Sequence, residues 1–380
     1  MRSATTLASV ALVSALTGTL LLAGSPGAPG AGAQSLSAHD RALAAYNRMS
    51  VRERVGQLFM SGVTTTGATS SERHDLDRVA AGNVYLREGS SASVATIAKR
   101  VHTMRSDRTY ARVRPFVATD QEGGLVQRLK GSGFDTIPSA LAQGRWGPKT
   151  LRARAQRWGG QLRSAGLTMD LAPVGDVVPA KNAHRNQPIG RYDREYGHTP
   201  LRAGRHVASF TRGMSAAGIA TTVKHFPGLG RATGNTDTER RVTDPTTAHD
   251  PYLASFEHGI KAGVSFVMVS SAIYPHIDAG HRACFSATVL RLLRSQLGFK
   301  GVIVSDSFGA ASLQGTPVAK RAVKFFRAGG TMVLDSSAAQ VAAMVDGVRA
   351  RMRSHPGFRT TIRAAVLKVL ETKAARGLIS

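Results

Sequence analysis

Short apolar runs alternate with longer amphipathic stretches along most of the chain. Nearly all the short runs are continuously apolar, as strands buried on both faces require. The eight runs are Leu58–Val63, Asn83–Leu86, Phe116–Asp120, Met169–Val174, Ile219–Val223, Phe266–Ser270, Gly301–Ser305 and Thr331–Leu334. Stretches with helical spacing lie between them, for example Thr150–Ser164, Pro200–Ala217 and Thr288–Leu297.

This alternation predicts an α/β fold with parallel strands. The runs recur at about 39 residues, which suits a strand–helix unit with some enlarged loops, and eight such units make a (β/α)₈ barrel. An open doubly wound sheet is the alternative, but it gives no reason for eight units. We therefore predict a single-domain (β/α)₈ TIM-type barrel over residues 49–380, ending in a basic amphipathic helix at Ile362–Gly377.

The N-terminus has the pattern of an export signal. A basic start precedes an apolar segment at Leu7–Ala23 and a small-residue cleavage site at Ala31-Gly32-Ala33. Residues 1–33 are thus predicted to be a signal peptide, and residues 34–48 a linker with the start of an N-terminal helix. The apolar segment is short and broken by Thr and Gly, which disfavours a stable membrane span.

A lipid anchor is excluded at this N-terminus by one residue. The segment Leu22-Ala23-Gly24-Ser25 resembles a bacterial lipoprotein signal, but Ser25 stands where the lipid-bearing cysteine must be. The sequence therefore predicts a secreted, extracytoplasmic and non-lipidated protein.

Composition narrows the possible partners. The 380 residues carry a formal net charge of +26 and one cysteine, Cys284, which rules out an internal disulfide and a cysteine-based zinc site. Such a charge can indicate nucleic acid or an anionic surface, but export and the lack of a nucleic-acid-binding motif argue against nucleic acid. Two explanations stay open: an arginine-rich composition without functional meaning, and attraction to an anionic cell wall. A monomer is favoured.

The ends of the predicted strands carry the candidate chemistry, because catalytic residues of such barrels gather at the carboxyl ends of the strands. Several carboxylates, one lysine and one histidine in these positions favour paired-carboxylate chemistry over metal chemistry or a cofactor. The strand-end residues are Asp120, Asp176, Lys224, His225, Ser270, Ser271, Asp306 and Asp335.

Each candidate also has a structural interpretation. Asp120 and Asp306 could cap the helix after their strand. Lys224 could be a solvated charge, and His225 a hydrogen-bonded core residue. The segment from Gly228 to Gly234 nearly matches a dinucleotide fingerprint, but its third glycine is one residue late and no amphipathic helix follows, so no nucleotide site is expected.

Three motifs resemble the signatures of glycoside hydrolase family 3, in its single-domain bacterial β-N-acetylhexosaminidase branch. They are Asp120-Gln-Glu-Gly-Gly with Arg128, Lys224-His225-Phe-Pro-Gly, and Val304-Ser305-Asp306. The resemblance spans roughly residues 51–377 and includes Arg194-Glu195-Tyr196-Gly197.

The resemblance implies a retaining hydrolase that removes terminal β-linked N-acetylglucosamine from cell-wall muropeptides or related glycans. Asp306 would be the nucleophile that forms a glycosyl-enzyme. The sugar's hydroxyl groups would be held by Asp120, Arg128, Arg194, Lys224 and His225.

One departure from the family pattern concerns the acid/base residue. Relatives carry Asp-Ser-His on the loop after the Lys-His motif, whereas this chain reads Asn235-Thr236-Asp237. Asp237 then either does the work of the acid, with a pKa raised by burial or by Asp306, or no efficient acid exists.

The sequence therefore predicts a secreted exo-β-N-acetylhexosaminidase with Asp306 and Asp237 as catalytic residues. Two alternatives remain. One is a catalytically weakened relative that binds wall glycans, and the other is a sibling exo-β-glycosidase with a different sugar specificity.

Overall fold

The computed structural model describes residues 36–379, so the predicted signal peptide lies outside the described residues. Eight parallel strands form a closed barrel, here numbered β1 to β8 along the chain. They are β1 (Phe59–Val63), β2 (Asn83–Leu86), β3 (Val117–Thr119), β4 (Met169–Asp170), β5 (Ala220–Phe226), β6 (Phe266–Val269), β7 (Val302–Ser307) and β8 (Met332–Asp335).

Each strand pairs with its neighbours in sequence, and β1 closes the ring on β8 through the pair Phe59–Val333. The predicted (β/α)₈ barrel is therefore confirmed. Most strand bounds lie within one or two residues of the prediction, but two strands end three or more residues from their predicted ends. Strand β4 ends at Asp170, before a loop that contains Pro173, because proline donates no ladder hydrogen bond. Strand β5 extends beyond Val223 to Phe226 and so includes the Lys224-His225 motif.

Helices surround the barrel, and most begin at a side-chain cap of Ser or Thr. The helices that follow the strands are Ser70–Val79, Val94–Asp107, Pro148–Ser164, Pro200–Ala216, Ala254–Lys261, Ala287–Arg291 with a π turn at Leu292–Gln296, Val318–Ala328 and Ala338–Ser354. Further helices are Ala38–Arg48, Val51–Gly56, Ala140–Gln143, Pro275–Asp278 and Pro356–Ala375. Short 3₁₀ segments occur at Ala180–Arg185, Gly190–Tyr192, Pro251–Leu253, Ala283–Phe285 and Ala311–Leu313. None of the described helices is long and apolar enough to cross a membrane.

The C-terminal helix covers the amino end of the barrel. Its buried Lys373 places Nζ 2.6 Å from Gln57 Oε1 and 3.2 Å from the Gly82 carbonyl oxygen, just ahead of β1 and β2. The N-terminal helix packs beside it, where Arg41 donates to the Ala374 carbonyl at 3.2 Å. With that end covered, the carboxyl ends of the strands remain for a ligand.

Candidate active site

The carboxyl ends of β3, β5 and β7 bring the predicted site residues together. Lys224 and His225 are consecutive, so a regular strand would turn them to opposite faces. The ladder between β5 and β6 is irregular between Val223 and Phe226. Lys224 contacts Asp120 and His225 contacts Asp176, so both side chains lie in the site. This local irregularity places two adjacent functional groups side by side.

Lys224 is part of a buried ion network. Its Nζ lies 2.6 Å from both Asp120 Oδ1 and Glu122 Oε1, and the residue is almost fully buried. Arg194 donates two hydrogen bonds to the same Glu122 carboxylate, from Nε to Oε2 at 2.9 Å and from Nη2 to Oε1 at 2.8 Å. The interpretation of Lys224 as a solvated charge is therefore wrong.

Glu122 was missed by the sequence analysis. Burial acts to raise its pKa, but Arg194 and Lys224 together hold the pKa well below its usual range, so it is ionised at neutral pH. The carboxylate is 3% exposed and fixes the direction of both cations. A signal was present in the Asp-Gln-Glu-Gly-Gly motif, whose glutamate follows Asp120 by two residues.

His225 is oriented by Asp176. The Asp176 Oδ2 atom lies 2.7 Å from His225 Nδ1, and since a carboxylate oxygen accepts, Nδ1 carries the hydrogen. Asp176 also accepts the main-chain N–H of Leu229 at 2.7 Å and so ties the end of β5 to the following loop. Among residues 36–379, Nε2 of His225 has no hydrogen-bond partner, which leaves it for a ligand.

Asp120 and Arg128 are neighbours through the main chain. A hairpin (Gln121–Gly123 with Val126–Gln127) follows β3, and beyond it the Arg128 N–H donates to the Asp120 carbonyl at 3.1 Å. The Arg128 side chain forms no ion pair within the described chain, and its buried Nε has no partner. Arg128 thus lies beside the ion network without joining it.

Asp306 lies near the end of β7, partly buried, and its Oδ1 accepts the Ser307 N–H at 2.8 Å. Gly147 and Pro317 are the N-cap residues of the helices Pro148–Ser164 and Val318–Ala328, and Ser139 caps the short helix Ala140–Gln143. Neither Asp120 nor Asp306 therefore caps a helix. The capping interpretation is wrong for both.

Asp237 is held near the site by the loop after β5. The Ala311 N–H donates to the Asp237 carbonyl at 3.2 Å, and the Ser312 N–H donates to the Thr236 carbonyl at 3.1 Å. Asn235 Oδ1 accepts the Asp237 N–H at 3.0 Å, so the residue that replaces the family aspartate still shapes the turn. The loop is therefore docked on the segment that follows Asp306.

The Asp237 side chain is exposed to solvent, although neighbouring protein atoms remove part of its hydration. That partial loss of hydration, followed by the negative charge of Asp306, raises its pKa. The charges of His225 and Arg194 also reach this carboxyl and lower its pKa in part. The negative charge of Asp306 thus acts on the Asp237 carboxyl and favours the protonated form of Asp237.

Three further residues at the strand ends were not assigned roles from the sequence. Burial raises the pKa of Asp170 to about 8 and of Asp335 to about 6. Burial raises the pKa of the Tyr85 phenol as well, followed by the charges of Asp120, Asp335 and Asp306. Tyr85 therefore lies within the electrostatic reach of the nucleophile candidate.

Within the part of the chain that the structure describes, no group of three or more His, Cys, Asp or Glu side chains is arranged to hold a metal ion. Cys284 is buried, and burial raises the pKa of its thiol, which makes it unreactive. The polar groups at this face are instead suited to hydroxyl groups and to acid/base chemistry.

Comparisons with known proteins agree with this geometry. Residues 50–371 match the model of the glycosyl hydrolase family 3 N terminal domain. A beta-hexosaminidase of Xanthomonas campestris pv. campestris (strain B100) is 32% identical over 313 residues, covering 77% of this chain and 88% of the relative.

Two solved structures share the fold. The beta-N-acetylhexosaminidase of Beutenbergia cavernae DSM 12333 has a TM-score of 0.83 and 42% identity, covering 87% of this chain and 99% of that protein. A family 3 beta-N-acetylglucosaminidase from Paenibacillus sp. str. FPU-7 has a TM-score of 0.79 and 28% identity, covering 87% of this chain and 63% of that protein.

Proposed function

The chain belongs to glycosyl hydrolase family 3 and hydrolyses O-glycosyl bonds, and we propose that it is a retaining exo-β-N-acetylhexosaminidase. Its substrates are glycans that end in β-linked N-acetylglucosamine, among them fragments of the cell wall. The single observation that carries the proposal is the carboxyl pair at the barrel mouth, Asp306 at the end of β7 and Asp237 on the loop docked beside it.

The sugar is held by the network on the β3 and β5 side. Asp120 offers carboxylate oxygens, and the cations Lys224 and Arg194 offer N–H groups whose directions are set by Glu122. Charged partners give strong, directional bonds to vicinal hydroxyl groups. His225 contributes Nε2, since Asp176 occupies its Nδ1. Arg128, whose main-chain N–H donates to the Asp120 carbonyl, extends this set.

The first chemical step joins the sugar to the enzyme. The ionised Asp306 carboxylate attacks the anomeric carbon and forms a glycosyl ester, while the bond from that carbon to the leaving oxygen breaks. Asp237 donates its proton to the leaving oxygen. A raised pKa suits this role, because more of the carboxyl is protonated at neutral pH than for an ordinary aspartate.

The second step uses the same two residues in reverse. The Asp237 carboxylate takes a proton from water as the water oxygen attacks the anomeric carbon, and the ester to Asp306 breaks. Two displacements at one carbon retain its configuration. Because the first step leaves Asp237 ionised, it is ready to act as base.

The decisive experiment compares a disaccharide with an activated aryl N-acetylglucosaminide, in the wild type and in Asp237→Ala. A poor leaving group needs the acid, whereas a good one does not. If the wild type binds the disaccharide but turns over only the aryl glycoside, the glycan-binding alternative is the better description. That alternative is favoured by one observation, the solvent exposure of Asp237.

Location is part of the same proposal. The N-terminal pattern supports export, cleavage before Gln34 and release without a lipid. Cleavage removes one charged residue, Arg2, so the released enzyme keeps a net charge of 26 − 1 = +25, which would favour its retention on anionic wall material.

A further inference from the structure

A basic cleft of about 450 Å³ lies outside the candidate active site, between the loops after β6 and β7. We call it the rim cleft. Its lining contains no Asp or Glu and consists of Gly280, His281, Arg282, Phe285, Ala287, Thr316, Lys324, Arg327 and Ala328. The cleft therefore presents positive charge around a partly apolar wall.

The cations of the rim cleft have no counter-charge within residues 36–379, where Arg282, Lys324 and Arg327 form no ion pair. The carboxylate of Asp278, on the same loop, is bound to His281 at 3.0 Å and to Ser286 at 2.7 Å. Burial and the neighbouring guanidinium of Arg241 lower the pKa of Arg282. Like charges gathered without an anion repel one another, so a bound anion would be stabilised here.

The rim cleft adjoins the loop that carries Asp237. Arg282 Nη2 donates to the Arg240 carbonyl at 2.6 Å, three residues after Asp237. Thr316, which also lines the cleft, lies five residues after Ala311, whose N–H donates to the Asp237 carbonyl. Since the acid protonates the leaving oxygen, the leaving group must extend to the side of Asp237. The rim cleft thus lies on the side of the active site toward which the leaving group extends.

Phe285 adds a surface for a sugar or a peptide. Phe285 belongs to the loop after β6, and Lys324 Nζ, on the helix Val318–Ala328, lies 5.7 Å from the centroid of its ring. An aromatic face beside cations suits a ring or chain that carries a carboxylate or a phosphate, because the apolar part packs while the anion is paired.

We propose that the rim cleft binds an anionic group, a carboxylate or a phosphate, on the leaving-group side of the glycan. The inference rests on the proposed function, since it names which glycans the enzyme prefers. A carboxylate would come from an acidic sugar or its peptide, and a phosphate from an anionic wall polymer. Neutral glycans would fill the sugar site and leave the cleft empty.

The test measures binding directly, with the full chain and without turnover. The probes are N-acetylmuramic acid for the carboxylate, glycerol 3-phosphate for the phosphate, and N-acetylglucosamine as the neutral ligand of the sugar site. The variant is Lys324→Glu, and the matched control is Lys320→Glu, which makes the same charge change on the same helix but outside the cleft. Calorimetry at constant, low ionic strength gives each Kd.

Lys324→Glu is expected to weaken binding of at least one anion by about tenfold, the size of one lost charge-assisted contact. N-acetylglucosamine should bind both variants as it binds the wild type. The anion that responds identifies the source. Equal weakening in both variants would mean long-range attraction only and would overturn the proposal, as would failure of the wild type to bind either anion. Because binding is measured without hydrolysis, an inactive enzyme would refute the proposed function alone.

Discussion

The guanidinium of Arg194 binds both carboxylate oxygens of Glu122, at 2.8 and 2.9 Å, while Lys224 Nζ approaches Glu122 Oε1 at 2.6 Å. The buried Glu122 carboxylate thus holds in place two cations, Arg194 and Lys224, that are predicted to bind sugar. Removing that anion leaves two cations close together with one remaining carboxylate, Asp120, to compensate them.

Glu122→Gln is therefore expected to lower the free energy of unfolding by about 3–5 kcal/mol, the usual cost of breaking a buried ion pair. It should also raise KM more than it lowers kcat, because the sugar-binding cations lose their orientation. Chemical denaturation and steady-state kinetics measure the two effects. The control is Glu88→Gln, a carboxylate exposed outside the network. A variant as stable as that control would contradict the structural role assigned to Glu122.

Asp306→Asn should reduce kcat by about a thousandfold or more, because the amide cannot act as the nucleophile. Fold and sugar binding should persist, since the side chain is only partly buried and accepts one local bond that the amide oxygen can keep. A mechanism-based fluoro-sugar followed by peptide mass mapping gives the labelled residue. A label on any residue other than Asp306 would refute the assignment.

Asp237→Ala should lower kcat/KM by about 10²–10⁴ on a disaccharide, the usual contribution of a general acid. On an activated aryl glycoside, the rate of glycosyl-enzyme formation should fall much less. Azide should partly restore turnover of the aryl glycoside, because it attacks the glycosyl-enzyme in place of the water that Asp237 would deprotonate. Thr238→Ala is the control, since Thr238 is the exposed neighbour on the same loop. Equal, small losses on both substrates would show that Asp237 is not the acid.

The pH profile gives a second test of Asp237. The acid must be protonated, so activity falls as pH rises through its pKa. That pKa is raised by partial burial and by Asp306 but starts from an ordinary aspartate. The alkaline limb of kcat/KM is therefore expected at lower pH than in relatives with a histidine acid, and to be lost in Asp237→Ala. An alkaline limb unchanged in that variant would assign it to another group.

Asp170→Asn should change how stability depends on pH. Burial raises the native pKa of Asp170 to about 8, whereas an unfolded aspartate titrates near ~3.9. Between these values the native state holds a proton that the unfolded chain has lost, so this group's stabilising contribution is lost as pH rises from about 4 to about 8. Asparagine keeps the acceptor for the Gln121 N–H and removes this loss. The stability of the variant relative to wild type should rise across that range, and a constant difference would contradict the raised pKa.

Two features of the sequence, its apolar pattern and the positions of its polar strand-end residues, determined most of the fold. Continuous apolar runs of strand length, spaced by amphipathic helices, require a parallel sheet covered by helices. Eight such runs then favoured a sheet closed into a barrel over an open one. The strand-end positions of Asp120, Lys224, His225 and Asp306 followed from the same pattern, because all strands point in one direction.

Only the tertiary structure decided which groups pair. Glu122 and Arg194 are 72 residues apart and belong to different motifs, so the sequence gives no reason to pair them. Asp176 and His225 likewise bond across 49 residues. These contacts depend on how irregular loops return over the barrel mouth, where main-chain bonds such as Ala311 to Asp237 are not encoded by local periodicity. The raised pKa of Asp237 likewise arises from crowding and from the charge of Asp306, which exist only once the loop is docked, because an aspartate in an extended chain is fully hydrated.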